Sequence, residues 1–584
     1  MHREIRKFLA GMAVAAAALA APAPLARLHA DKGVACADCH GKGKARVDDN
    51  EQAPNLACVR CHGDLKAMAK GAADPLNPHA SHLGATSCTI CHRGHEASRS
   101  YCLSCHDFDM KMPGGTDAAW KPRPDPARRD RRVDRADVVV VGSGAAGMVA
   151  AITAHDAGAR VIVLEKQPLT GGNSMLAEGG MNAAGTKAQA RKGIKDSVEL
   201  MREDTLKGGK FLAEPALVEI LARGSAASVD YMEGLGADLS DVGRLGGASV
   251  SRAHRPTGGL PVGAHLVDVL RRNAASRKLD VRVNSRVVKL LEGRDGAVTG
   301  VEVCGLHRGT YRILAKSVVM ASGGFSANPA RVARYQPSLE GMASSNQPGA
   351  TGDGLDLGEA RGGKLRDLEQ IQIHPSVAKG SRILITEAVR GNGAILVNRQ
   401  GERFFNEIGT RDAVSQAILH QEGKSAFLLF DEGVRQSLKQ IDGYFHLKLV
   451  KEGATPEDLA RVLGLPGAAL RATLDAYNAA VDAKLDPLFK RPDLPRALRT
   501  PKFYAIEVNP GIHYTMGGLA VDTATRVLAK DGKAIPGFFA AGEVTGGVHG
   551  ANRLGGNSIS QTITFGRIAG ETAAGFAKRQ PERK

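Results

Sequence analysis

Beyond residue 106 this 584-residue sequence holds a single cysteine, Cys304, so no disulfide framework can brace the greater part of the chain. Cys304 lies in the strand-like run "VTGVEVCGL" and reads as a small buried apolar residue, not a reactive thiol. Long hydrophobic runs are also missing. After the first two dozen residues no stretch approaches the eighteen or so apolar residues that a membrane-spanning helix needs, which argues against an integral membrane protein. Acidic residues are short relative to basic ones, 61 against 78, for a formal charge of +17. Such a balance can mark a nucleic-acid binder. Here the basic residues concentrate partly in the amino terminus and in "ARRDRRVDR", so no nucleic-acid partner is inferred.

What the chain has in abundance is 70 glycines and 43% hydrophobic residues, enough for several sizeable cores. Its first residues, "MHREIRK" then "FLAGMAVAAAALAA" then small residues, match a secretory signal peptide over 1–23 with cleavage near Ala20 to Ala23. The mature chain is therefore expected to be exported, and periplasmic if the cell is Gram-negative.

The remaining eight cysteines fall into four C-x-x-C-H motifs: Cys36 and Cys39 with His40, Cys58 and Cys61 with His62, Cys88 and Cys91 with His92, Cys102 and Cys105 with His106. Zinc sites use C-x-x-C pairs but do not require a histidine after every second cysteine. Covalent haem does, because two thiols at this spacing form thioethers to one porphyrin and the following histidine reaches the iron. Four spare histidines, His29, His79, His82 and His95, match the four irons and suggest bis-histidine ligation, with the pairing left open. Irons closed on both faces carry electrons and leave bond chemistry to another centre. This segment, 24–112, is followed by a Pro-, Gly- and charge-rich stretch, 113–135, that reads as a linker.

Next comes "ADVVVVGSGAAGMVAAITAHDAGARVIVLEK": a strand, Gly142-x-Gly144-x-x-Gly147, an Ala-rich helix, and a second strand ending at Glu165. Gly142 permits the tight turn, Gly144 lets backbone approach a pyrophosphate, Gly147 allows close helix packing, and Glu165 is placed to accept from a ribose hydroxyl. FAD and NAD both fit that unit. The loop "TGGNSMLAEGGMNAA" and the late segment "GFFAAGEVTGGVHGANRLGGNSIS" favour FAD, and their separation implies a flavin domain interrupted by an insertion.

With "TGGNS", "GGASVSRAHRPTGG", "QIQIHP", "ITEAVRGNGAILVNRQGERFFNE", "GTRDA", "GIHYTMGG" and "GEVTGGVHGANRLGGN" in place, the chain resembles the soluble periplasmic flavocytochrome c fumarate reductases over essentially its whole mature length. The resemblance implies a multidomain fold: a small loop-and-helix tetrahaem cytochrome c domain, a Rossmann-like α/β FAD domain over 136–368 and 514–584, and an inserted α+β clamp over 369–513. It implies four covalent haems, non-covalent FAD and a sodium ion held near Thr515, Met516, Gly517, Glu543 and Thr545. FAD contacts are implied at Gly142, Gly144, Ala146, Gly147, Glu165, Gly172, Asn173, Ser174, Gly179, Gly180, Asp353, Tyr514, Glu543, Ser558 and Ile559.

By the same resemblance His513 and Arg553 hold one substrate carboxylate, while His374, Thr386 and Glu387 hold or flank the other. Arg411 is the proton donor, with Glu387 and Arg390 as its relay, despite arginine's usual persistence as a cation. The implied reaction is fumarate to succinate, with electrons from a membrane-anchored quinol dehydrogenase or small periplasmic cytochrome and a monomeric enzyme. Reduction of urocanate or methacrylate, or electron storage by the haems, are the alternatives. Leu245 and Leu384 stand where relatives carry methionine, and Tyr514 stands for a second histidine.

Overall fold

The computed structural model describes residues 23–40, 52–70, 77–81, 83–84, 86–106, 112–113, 115–116 and 124–581. Most of the expected signal peptide and His82 lie outside them. Each haem motif sits on one helical turn: the helices Cys36–His40 and Gln52–His62, and the 3₁₀ turns Cys88–Ile90 and Cys102–Ser104. Residues three and four apart on a helical turn share a face, so the two thiols and the histidine of each motif are presented together.

The flavin-type domain is built on an eight-stranded sheet. Its centre is β1 (Arg129–Val141), which runs into helix α1 (Ala145–Asp156) and then β2 (Val161–Leu164). β1 pairs in parallel with β2 on one side and with β3 (Gly309–Met320) on the other. Val138 to Val141 are buried throughout, as a strand covered on both faces requires. Cys304 is buried in the neighbouring strand Val298–Gly305, as expected of a small apolar residue.

The clamp region contributes an antiparallel sheet: β4 (Ile371–Ala378), then β5 (Phe503–Thr515), Ala426–Asp431 and Ile395–Val397, with Lys451–Gly453 also on β5. Helix α2 (Glu387–Gly391) follows β4, helix α3 (Arg411–Leu419) packs on β4 and β5, and α4 (Asn557–Lys578) is the last described helix. No helix among the described residues is long and apolar enough to cross a membrane.

Two sequence boundaries fall inside strands. The charged stretch 129–135, read as linker, is the first half of β1, registered on residues 310–314 of β3. Its two aspartates are paired with distant arginines: Asp130 with Arg308, and Asp134 with Arg308 and Arg282. A charge run normally marks a solvated segment, and these partners, more than 140 residues away, are invisible locally. The 513/514 boundary also falls inside β5, so the clamp and flavin parts share one continuous strand.

Candidate active site

One cavity of about 780 Å³ runs between the flavin-type domain, the clamp and the cytochrome segment. Of the residues expected to contact FAD, all but Gly147 line it. Gly147 acts from behind: a Cβ there would stand 2.0 Å from the Gly142 carbonyl, so only glycine lets α1 start this close to the turn. Gly142 itself has φ +106°, a left-handed conformation that glycine adopts freely. The amino terminus of α1 thus opens on the cavity, with its positive dipole end toward any phosphate. Glu165 Oε2 accepts from Ser143 N and Oγ (3.0 and 2.6 Å) and Oε1 from Gln167 N (2.8 Å), which leaves Oε1 acceptor capacity for a ribose hydroxyl. Asp353 is tied to Lys166 and Arg286. These residues fit a dinucleotide.

Toward the clamp the cavity changes character. His374 accepts from Ser376 N through Nδ1 (3.2 Å), so its proton sits on Nε2, which is buried without a partner. Its ring lies 5.2 Å from that of His513. His513 is placed by a β-bulge: Gln372 pairs with Tyr514 and Ile373 with Ile512, leaving His513 unpaired and turned out of the ladder. Ser345 Oγ holds its Nδ1 at 2.8 Å. Burial first, and then the positive charge of Arg411, drives both imidazoles well below their ordinary pKa, so they are neutral donors.

Arg553 lies 4.7 Å over the Tyr514 ring, with Nε buried and unpartnered. Burial, with Arg411 next, lowers its guanidinium to about 9. An unpaired buried donor costs about 1–3 kcal/mol, and more when charged. His374 Nε2 and Arg553 Nε therefore describe a site whose missing partner is an anion.

Arg411 is the first residue of α3 and Glu387 the first of α2. Arg411 Nε donates to Glu387 Oε2 at 2.9 Å, and its NH1 to Gln372 Oε1 at 3.2 Å. Gly246 N donates to the other Glu387 oxygen at 2.7 Å. Burial alone would raise the Glu387 carboxyl, but Arg411 and Arg390 more than offset it and hold it at about 2. The adjacent acid Asp412 pairs instead with Lys210, so Arg411 is not spent on a surface salt bridge.

Arg390 does not line the cavity. It is buried behind Glu387, lowered to about 10 chiefly by burial, and its NH1 donates to the Glu407 carbonyl. Glu407 is itself clasped by Arg403 and Arg491, and Arg491 donates to the Arg390 carbonyl at 2.6 Å. Thr386 N donates to the Tyr444 hydroxyl at 2.9 Å. Leu384 lines the cavity, whereas Leu245 is buried behind Gly179.

The positions expected for sodium lie under the cavity floor. Thr515 N and Oγ1 donate to Glu543 Oε1, and Thr545 Oγ1 to the Gly542 carbonyl. Only Glu543 of the five reaches the cavity, and burial raises its carboxyl.

In the cytochrome segment three spare histidines each face a motif histidine: His29 with His62, His40 with His95, and His79 with His92, at ring-centroid separations of 6.0, 5.6 and 6.2 Å. An iron between two imidazoles, with metal–nitrogen bonds of about 2 Å, would space the centroids by roughly 6 Å. His82, the fourth spare histidine, lies outside the described residues. Cys102, Cys105 and His106 line the same cavity as the dinucleotide cradle. Arg271 fastens the two parts, donating to Thr170 Oγ1 (2.8 Å) and to the Leu83 carbonyl (2.9 Å).

Sequence reasoning missed Gln372, Gly246, Ser345 and Tyr444. Gln372 offered a signal, since it stands two residues from His374 on the same strand. The other three come from distant loops and elements and offered none.

The FAD binding domain family matches residues 137–559, and the cytochrome c3 family residues 28–107. A fumarate reductase (cytochrome) of Shewanella frigidimarina is 50% identical over 93% of this chain and 98% of its own. A urocanate reductase of Eggerthella lenta is 33% identical over 80% of this chain and 79% of its own. The solved open conformation of a flavocytochrome c3 fumarate reductase superposes with a TM-score of 0.80 at 45% identity, covering 95% of this chain and 99% of that one. A dinucleotide cradle, a cytochrome segment opening onto it and likeness over nearly the full length converge: the chain belongs to the flavocytochrome c fumarate reductases, FAD-dependent oxidoreductases with a cytochrome c3 domain on the same polypeptide.

Proposed function

We propose that this chain reduces fumarate to succinate in the periplasm, taking single electrons through four covalently attached bis-histidine haems and passing them in pairs to non-covalent FAD. The observation that carries the reading is the pair of orphaned buried donors, His374 Nε2 and Arg553 Nε, in a cavity that also holds the Arg411–Glu387 pair and the fourth haem motif. A dianion with a carboxylate at each end satisfies both.

When bound, the flavin supplies a hydride to one alkene carbon. Arg553 and His513 grip one carboxylate, and His374 and Thr386 the other. Negative charge then develops on the far carbon and spreads into its carboxylate, where the donors are already oriented, so stabilisation needs no reorganisation. Arg411 delivers a proton to that carbon, and Glu387, bonded at Arg411 Nε, returns one to it. Arg411 opens α3, which holds it beside Glu387 at the helix's amino terminus. Arg390, behind Glu387, is the next member of the relay. Sodium beside Glu543 would offset the charge on that buried carboxylate. The donor is a quinol dehydrogenase or small cytochrome, and the enzyme works as a monomer.

The test is anaerobic oxidation of reduced viologen by haem- and FAD-loaded enzyme. Fumarate should drive it, with urocanate and methacrylate far weaker. No oxidation with fumarate would remove the reading, and preference for urocanate would reassign the substrate.

A further inference from the structure

Glu178 enters neither the cofactor cradle nor the proton relay, yet its carboxyl opens on the same cavity, at the seam between the flavin-type domain and the clamp. Two clamp groups face it. The Tyr444 hydroxyl, on the helix Gln440–His446, lies 3.2 Å from Oε2, and the Thr386 hydroxyl lies against the same carboxyl. Because Thr386 N already donates to the Tyr444 oxygen, the Tyr444 proton must point to Glu178. Oε2 is therefore an acceptor, and a proton on Glu178 belongs on Oε1. No charged side chain among the described residues acts on this carboxyl.

We propose that Glu178 is a specificity-determining residue of the substrate cavity: protonated, it donates to the carboxylate held by Thr386, and ionised, it repels that carboxylate. The enzyme thereby takes up a proton with each dicarboxylate and loses affinity for dianions as the medium turns alkaline. A monocarboxylate gripped only by Arg553 and His513 escapes this penalty. The inference rests on the dicarboxylate reading above, with the Thr386 end as one of its two grips.

The surroundings agree. Burial pushes the Glu178 carboxyl up to about 7, with Tyr444 and Thr386 offsetting part of the rise. Of the other ionisable groups of the site, His374 and His513 titrate well below, Glu387 at about 2, Arg553 at about 9 and Arg390 at about 10, while Glu543, at the flavin end, is the one other carboxyl that burial raises. A dianion beside Thr386 raises the Glu178 carboxyl further, so binding draws in a proton wherever the free enzyme is ionised there.

The test is calorimetric titration of fully loaded enzyme with succinate from pH 6 to 8.5, in buffers of different ionisation enthalpy, with acrylate as the monocarboxylate probe. Wild type should take up close to one proton per succinate at pH 8 and lose about tenfold in affinity per pH unit above 7, with acrylate nearly flat. Glu178→Gln should abolish the uptake and flatten the succinate profile. Tyr444→Phe, which removes a bond that lowers the carboxyl, should move the break to higher pH. Unchanged proton uptake in Glu178→Gln would overturn the assignment while leaving the dicarboxylate reading intact. Failure of wild type to bind succinate at any pH would overturn both.

Discussion

Arg411 Nε donates to Glu387 Oε2 at 2.9 Å, and each of the two residues opens its own helix. A carboxylate is favoured at a helix amino terminus and an arginine is not. The pair thus joins a carboxylate stabilised at one helix amino terminus to a cation held at another.

Arg411→Ala should lower kcat for fumarate by about 10²–10⁴-fold, the usual worth of a positioned general acid, while flavin and haem absorbance stay unchanged. Glu387→Gln should fall in the same range, because the amide cannot return the proton. Stopped-flow reoxidation of reduced enzyme by fumarate reads both, and turnover near wild type in Arg411→Ala would dismiss its role.

Arg553 gives a second alkaline limit. Its guanidinium is charged below about pH 9 and neutral above, so its grip on a carboxylate is complete on the acid side and disappears as pH rises through 9. The profile of kcat/KM, which reports the free enzyme, should therefore bend downward near 9 for fumarate and for monocarboxylates alike. This separates it from the limit near 7 assigned to Glu178, which spares monocarboxylates.

His95 faces His40 with Nε2 atoms 3.3 Å apart. On the bis-histidine haem reading proposed above, His95→Ala should open one iron to solvent and convert that haem from low to high spin. Electron paramagnetic resonance of the oxidised protein checks this. A spectrum with no high-spin signal would mean that the His40 iron takes its second ligand elsewhere.

Glu407 is fully buried between Arg403 and Arg491 and supports Arg390 through its carbonyl. Glu407→Ala leaves the buried Arg491 without a carboxylate and Arg403 with Asp486 alone, and should destabilise the clamp by about 3–5 kcal/mol. Chemical denaturation followed by a clamp-localised probe measures it, and a loss under 1 kcal/mol would show that water compensates.

Much of the site was legible before the fold was known. The glycines of the dinucleotide turn are forced by local backbone geometry, and the structure places Gly142 and Gly147 where no side chain fits. The charge run 129–135 misled because the arginines that pair with its two aspartates, Arg282 and Arg308, sit far along the chain and meet them only in the folded sheet. Glu178 escaped notice for a related reason. In sequence it is one polar residue in a glycine-rich loop, and its environment consists of clamp residues more than 200 positions later.

The sequence alone made the cofactor motifs legible: C-x-x-C-H puts two thiols and a histidine within one turn, and G-x-G-x-x-G shapes the turn into α1, so there spacing is already geometry. Only the tertiary structure decided the chemistry of the substrate end. His374, Arg411, His513, Arg553 and Glu178 come from separate strands, helices and loops, and whether a buried imidazole is neutral or a carboxyl keeps its proton depends on the desolvation and neighbouring charge that packing creates.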